Sequence, residues 1–286
     1  QMTTFGIAGL QLETAKADNV DLLIREIDAV MRRFPWLEMI VCPELASCGT
    51  NFKAAEAMPG ARENRFQEVA KRHQIWLLPG SMLEADGDRI YNTAPVISPE
   101  GTVVTRHRKL FPWCPYENGV TPGDQHTVFD VPGVARFGVS ICYDMWYPET
   151  VRALVWQGAE VILHPNLTSS IDRDAEKAMI RAHAAQNQCY FFDVNMADSM
   201  GVGESLIAGP GGEVIYQAGK SREIIPLKLD LDYLRDVRRH GWQNLGQPLK
   251  SFRDSQLTFP QYEKGHDSEA LRALGELRMP IRGEGR

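Results

Sequence analysis

Residues 135–165 read ARFGVSICYDMWYPETVRALVWQGAEVILHP. Ala135 to Cys142 reads as a strand, Pro148 to Gln157 as a helix and Val161 to Pro165 as a second strand, the pattern of a β-α-β crossover. The same logic continues outward. Asp172 to Asn187 is helical and Tyr190 to Asn195 extended; Ser205 to Ala208 and Glu213 to Tyr216 form a hairpin across Gly209-Pro210-Gly211-Gly212. A strand, not a helix, follows those glycines, which excludes a phosphate-binding loop.

The N-terminal half repeats the arrangement. Thr4 to Leu12 alternates as a strand, and Asp18 is placed to cap a helix with Val20, Leu23, Ile24, Ile27, Val30, Met31 and Phe34 at helical spacing. Met39 to Pro43 is a short apolar run suited to a strand covered on both faces. A helix at Arg62 to His73 and a strand at Ile75 to Met82 follow, then a pair, Ile90 to Ile97 and Thr102 to Arg108, joined at Ser98-Pro99-Glu100-Gly101. Each half is therefore β-α-β-α-β plus a hairpin, which predicts an α/β fold of two sheets packed face to face with helices outside. No Ser/Gly/Pro-rich linker divides the halves, so residues 1–229 are expected to form one domain. Beyond Leu229 the pattern changes to a short basic helix near Tyr233 to His240, a stretch bearing Pro and Gln, and a weakly helical tail. Residues 230–286 thus read as an arm that packs on something else.

Composition narrows the partners. The 286 residues include 31 Lys and Arg against 37 Asp and Glu, a net charge of −6, and the longest basic cluster is Arg106-His107-Arg108-Lys109, so a nucleic-acid surface is not expected. No apolar stretch approaches a membrane span, and Gln1 to Leu12 lacks the build of a secretory leader, which predicts a cytoplasmic protein. The five cysteines, Cys42, Cys48, Cys114, Cys142 and Cys189, are odd in number and irregular in spacing, as reduced thiols are. Neither a CxxC pair nor paired histidine spacing supports a metal, and no cofactor is expected.

In α/β sheets chemistry gathers at the carboxyl ends of strands. Three such ends carry reactive groups: Glu44 in Cys42-Pro43-Glu44-Leu45, Lys109 in Arg108-Lys109-Leu110-Phe111, and Cys142 in Ile141-Cys142-Tyr143-Asp144. A free thiol is mostly protonated at neutral pH and needs a base, which a buried glutamate supplies. Acyl transfer also needs positive charge or N–H donors where the oxyanion forms. Glu, Lys and Cys cover base, oxyanion stabiliser and nucleophile.

These three blocks, in this order, resemble the catalytic blocks of the nitrilase superfamily of carbon–nitrogen hydrolases. The similarity extends to Tyr91-Asn92-Thr93-Ala94, to Arg181 through Asn187 and to Pro210 through Val214, and spans about residues 4–229. It implies a four-layer αββα sandwich with Glu44 as general base, Lys109 as oxyanion stabiliser, Cys142 as nucleophile and Glu117 as the second glutamate, orienting Lys109 or positioning substrate. It also implies a homodimer built on the helices after the nucleophile and base strands, with the C-terminal arm reaching across the partner. Cys142-Tyr143-Asp144 with Trp146 and Pro148-Glu149 is closer to the amidase and carbamoylase branches than to true nitrilases, which carry Cys-Trp-Glu. The expected substrate is a small linear amide or N-carbamoyl compound, with a nitrile as the alternative. An acyltransferase of this kind carries membrane spans, and a silent binding module would lack the intact trio.

Other candidates have plainer readings. Cys42, Cys48 and Cys189 suit the core, while Cys114 near the mouth is a pocket residue or an oxidation site. Trp113, Tyr116, Tyr143 and Trp146 read equally as pocket walls or core aromatics. Asn166 and Thr168 follow the strand after the nucleophile helix, which places them near the site; the histidines, His164 and His183 included, read as structural.

Overall fold

A computed structural model describes residues 2–283; Gln1 and the last three residues of the predicted tail lie outside the described residues. The first sheet is built on three parallel strands, β1 (Thr4–Gln11), β2 (Met39–Val41) and β3 (Trp76–Leu78), joined by helices α1 (Val20–Arg33) and α2 (Ala61–His73). It continues through β4 (Met82–Asp86), β5 (Arg89–Ile97) and β6 (Val103–Arg108), with β5 hydrogen-bonded to β3, β4 and β6. The second sheet repeats this plan. An edge strand β7 (Thr127–Val131) pairs with β8 (Ala135–Val139), which lies parallel to β9 (Val161–Pro165) and β10 (Tyr190–Val194), across helices α3 (Pro148–Trp156) and α4 (Arg173–Asn187). The hairpin β11 (Leu206–Ala208) and β12 (Val214–Gln217) completes it. The chain then returns to the first sheet, where β13 (Glu223–Asp230) runs antiparallel to β1 from Thr4↔Asp230 to Gln11↔Glu223.

Alternation along the strands separates the layers. Ile7, Met39, Val41 and Leu78 face Phe137, Val139, Leu163 and Phe192 between the sheets. Their neighbours Ala8, Leu10 and Ile40 turn outward onto Leu23, Ile27, Phe66 and Val69 of α1 and α2. In the other sheet Ile162 and Phe191 turn onto Leu154, Ile180 and Ala184 of α3 and α4. Successive strand residues point to opposite faces, so strands apolar on both sides must sit between two covers. The result is the αββα sandwich.

Four local differences matter. The strand expected at Ile75–Met82 breaks at Pro79-Gly80-Ser81 into β3 and β4, and β7 and β13 had no counterpart in the sequence pattern. The strand expected to reach Cys142 ends at Val139, and Cys142 begins a short 3₁₀ turn. The cap of α1 is Asn19, while Asp18 accepts the Val20 N–H at 3.0 Å. Past β13, helix α5 (Leu231–His240) buries Leu231, Leu234 and Val237 against the sandwich. Helix α6 (Pro248–Asp254) places Phe252 edge-on to Trp156, and after it, up to α7 (Glu269–Arg272) and beyond, the chain is largely exposed. No helix among the described residues is long and apolar enough to cross a membrane.

Candidate active site

The carboxyl ends of the two parallel sets meet. The Glu44 N–H, just past β2, donates to the Asn166 carbonyl just past β9 at 3.3 Å, a backbone bond from one sheet to the other. The turn that carries Glu44 is fixed closely: Leu45 has φ 53°, its N–H bonds Ser81 Oγ at 3.0 Å, and Gly80 (φ 79°) lies against Pro43. A Cβ at Gly80 would stand 1.9 Å from the Pro43 carbonyl oxygen, so only glycine fits.

Lys109 follows β6. Its N–H bonds the Asn92 carbonyl at 2.8 Å and its side chain is fully buried. The ammonium donates to Glu44 Oε1 at 2.9 Å and to Glu117 Oε2 at 2.7 Å; Glu44 also accepts Asn92 Nδ2 at 2.8 Å, and Glu117 the Trp113 N–H at 2.6 Å. Burial opposes the Lys109 charge, yet Glu44, Cys142 and Glu117 hold its pKa well above the ordinary lysine value. Burial pushes the Glu44 carboxyl up, only partly countered by Lys109 and by hydrogen bonding from Cys142. The Cys142 thiol is raised well above the usual range, by burial first and by Glu44 second, against the pull of Lys109. The thiol beside the Lys109 ammonium is therefore protonated rather than a standing thiolate.

Cys142 itself has φ 45°, a left-handed conformation uncommon for a residue with a side chain and found often at functional sites. Asp144 holds that turn. One of its oxygens accepts the Leu110 and Phe111 N–H groups, each at 2.9 Å, and the other accepts the Ile141 N–H at 3.0 Å and His107 Nε2 at 2.9 Å. His107 Nδ1 in turn meets Thr127 Oγ1 at 3.0 Å. One buried carboxylate thus ties the strand bearing Lys109 to the turn bearing Cys142, and these donors hold it ionised below the ordinary range despite its burial.

Cys142 opens into a cavity of about 50 Å³ lined by Trp113, Tyr143, Trp146, Thr168, Asp172 and Glu176 among others. Three of the aromatics read as pocket candidates therefore line it. Tyr116 does not; it is exposed and packs on Trp113 with ring centres 4.6 Å apart. Asn166 is fully buried behind the wall. It bonds Asp193 and Glu176 and accepts the Thr168 hydroxyl at 2.9 Å, so that Thr168, 4.0 Å from Cys142 Sγ, is the residue that faces the thiol. A larger groove of about 540 Å³ lies by Glu84, Arg106 and Arg108, but its arginines are bound to Glu63 and Glu84. Among the described residues no group of three His, Cys, Asp or Glu side chains converges as a cation cage.

Sequence reasoning missed Asp144, His107, Asn92 and Glu176. Asp144 stands two residues from Cys142 and could have drawn notice there; its partners Leu110, Phe111 and His107, 33 to 37 positions away, could not be read off the chain.

Comparison with known proteins agrees with this architecture. Residues 5–239 match the family model for carbon-nitrogen hydrolases. The chain is 31% identical over 220 residues to an omega-amidase NIT2 of Xenopus tropicalis, covering 70% of this chain and 79% of that one. It is 30% identical over 235 residues to a formamidase of Bacillus cereus, covering 78% and 70%. The crystal structure of Saccharomyces cerevisiae Nit3, a member of branch 10 of the nitrilase superfamily, superposes with a TM-score of 0.77 at 24% identity over 83% of this chain and 94% of that one.

Proposed function

We propose, from the premise that this chain belongs to the carbon–nitrogen hydrolase family, that it hydrolyses a small linear amide through a thioester on Cys142. The observation that carries this is the buried Lys109 ammonium, 2.9 Å from Glu44 and 2.7 Å from Glu117, beside the Cys142 thiol, which opens into a cavity lined by aromatic and polar side chains. The names of the relatives, an omega-amidase and a formamidase, support an amide over a nitrile.

In the first half-reaction Glu44 takes the thiol proton as sulfur bonds to the carbonyl carbon. The Lys109 ammonium and the Tyr143 N–H, next after the nucleophile, stabilise the oxyanion. Glu44 returns that proton to the nitrogen as the C–N bond breaks, so ammonia or an amine leaves and a thioester remains. In the second half-reaction Glu44 draws a proton from water; hydroxyl adds to the thioester carbon, the C–S bond breaks, and the proton restores the thiol. Burial raises the Glu44 carboxyl, which makes it a stronger proton acceptor than an ordinary carboxylate, as a group that takes and returns a proton requires. Glu117 keeps Lys109 aimed by holding a second of its protons.

Of the arm expected over residues 230–286, α5 packs on its own sandwich; the exposed apolar side chains farther on, Leu271, Leu274, Leu277 and Ile281, support a tail beyond Asp254 that covers a second copy of the chain. Light scattering of the full chain against one ending at Asp254 checks this: an oligomer that weakens or is lost on truncation is expected, and the same state of association in both removes the tail's role.

The function is tested by ammonia release across aliphatic amides, ureido acids and nitriles, with Cys142→Ala and iodoacetamide as controls. Amide turnover that disappears in both controls is expected. Nitrile turnover without amide turnover, or full activity of Cys142→Ala, overturns the proposal.

A further inference from the structure

We infer that Asn92 is a positioning residue for the Glu44 base: with Lys109 it occupies one carboxylate oxygen, Oε1, and so leaves the other, Oε2, to take the Cys142 proton. The inference rests on the amide hydrolysis proposed above. Both nitrogen donors that reach the Glu44 side chain among the described residues, Lys109 Nζ at 2.9 Å and Asn92 Nδ2 at 2.8 Å, end on Oε1. A carboxylate oxygen offers two lone pairs, so two donors fill it. The hydrogen bond from Cys142 then falls to Oε2. When Oε2 carries the proton, Oε1 becomes the carbonyl oxygen of the acid and still accepts from both donors. The proton therefore comes and goes without any partner moving, which is the preorganisation a group that takes and returns it needs.

Asn92 is built into the fold at the point this role requires. It is fully buried on β5, opposite Leu83 of β4 and one residue before the Thr93↔Arg108 rung with β6. Its carbonyl accepts the Lys109 N–H at 2.8 Å, so one residue holds the base by its side chain and the cation by its backbone. Its amide oxygen, Oδ1, is buried with no hydrogen-bond partner among the described residues. An asparagine kept for stability alone would pair both ends of its amide; this one pairs only the end that faces Glu44. Turning the amide over would set Oδ1 against a carboxylate oxygen, acceptor to acceptor. Lys109 cannot take over the task, because one of its three N–H groups is on Glu44, one is on Glu117, and the third is the one the oxyanion needs. Without Asn92 the carboxylate is held at one point and free to turn about its last, soft torsion, offering either oxygen.

The test replaces Asn92 by Leu, which keeps the size and removes the donor, and by Ala, which cannot crowd the strand if Asn92→Leu folds poorly. Thr93→Val is the control. The Thr93 hydroxyl makes a buried bond of the same 2.8 Å length, but to Glu84, which does not line the Cys142 cavity.

Two readouts separate positioning from bulk stability. The rate of Cys142 alkylation by iodoacetamide, followed by peptide mass against pH, needs no turnover. Its acid limb should move up by about one pH unit in both Asn92 variants, because the lost bond favoured the ionised carboxylate. On the plateau above that limb, kcat on butyramide should fall about tenfold while KM changes by less than about twofold, since a carboxylate free to turn is misaimed in the reaction and not in binding. Thr93→Val should move neither. An acid limb unmoved in both Asn92 variants, an unchanged plateau kcat, a loss confined to KM, or the same shift in Thr93→Val overturns the inference. If no amide is hydrolysed while the alkylation limb moves as stated, the amide reading fails and the hold of Asn92 on Glu44 stands.

Discussion

Replacing Asp144 by Asn would measure how much the proposed nucleophile turn depends on one carboxylate. That group accepts four hydrogen bonds, from Leu110, Phe111 and Ile141 N–H and from His107 Nε2, all between 2.9 and 3.0 Å. An amide nitrogen has no lone pair to offer, so two donors lose their acceptor. With the amide oxygen toward Leu110 and Phe111, a change of His107 tautomer rescues one more contact: Nε2 accepts from the new NH₂ while Nδ1–H donates to Thr127. Only the Ile141 N–H is then left unpaired and buried. Bonds to a charged acceptor contribute about 1.5–3 kcal/mol and a buried unpaired donor costs about 1–3 kcal/mol, which sets the net loss at about 2–4 kcal/mol. For a chain of this size that lowers Tm by about 5–10 °C, measured by circular dichroism at pH 7. Because the Asp144 carboxyl is held below its unfolded value, its contribution is present above the ordinary carboxylate pKa and lost as pH falls through the depressed one. The gap between the two proteins should therefore narrow in acid. A loosened turn misplaces sulfur relative to Lys109, so kcat on butyramide should fall about ten- to a hundredfold with a smaller change in KM. A Tm within about 1 °C of the original and an unchanged kcat would refute the clamp.

Three further outcomes follow from the same geometry. With Glu44 raised by burial, kcat/KM should fall as pH drops through a value above the usual 4.5 for glutamate; Glu44→Gln should lose about 10²–10⁴ in rate and remove that limb from the pH profile of Cys142 alkylation, and a limb that persists sinks the assignment. Lys109→Met leaves Glu44 and Glu117 without their shared counterion, so urea unfolding should show a loss of about 3–5 kcal/mol at pH 8 and a smaller one at pH 5, where a carboxyl takes up a proton; more than a tenth of wild-type turnover would contradict the role given to Lys109. Gly80→Ala forces a Cβ onto the Pro43 carbonyl at positive φ, which should cost about 2–4 kcal/mol and lower kcat by moving Glu44; an unchanged urea midpoint would show that the turn is not so constrained.

The parts of the fold that were legible in the chain are those in which burial on one stripe or both faces leaves a period. Helix α1 announces itself through Val20, Leu23, Ile27, Val30 and Met31, all buried, and β9 and β10 through short, mainly apolar runs buried on both faces. Edge strands leave a weaker mark. β13 carries Pro226 and alternates poorly, and it is extended because β1 supplies a ladder for its whole length. β7 likewise exists as the partner of β8. The end of β8 was misplaced because Ser140-Ile141-Cys142 reads as more strand, whereas Asp144 draws the Ile141 N–H into a turn.

Glu44, Lys109, Glu117 and Cys142 were named from residue types at strand ends and from block resemblance, since a base, a cation and a thiol at such ends are unusual enough to be seen one at a time. Chain order and composition thus determined the layered architecture, the reactive residue types and the family. What only the tertiary structure decided is which groups touch. The two sheets close at Glu44 N–H to Asn166 carbonyl, Asp144 reaches back across 37 positions to His107, and Thr168 rather than Asn166 faces the thiol. Hydrogen bonds act over about 3 Å while these residues are separated by tens of positions, so no local pattern records them; they exist because two buried sheets must pack in one register.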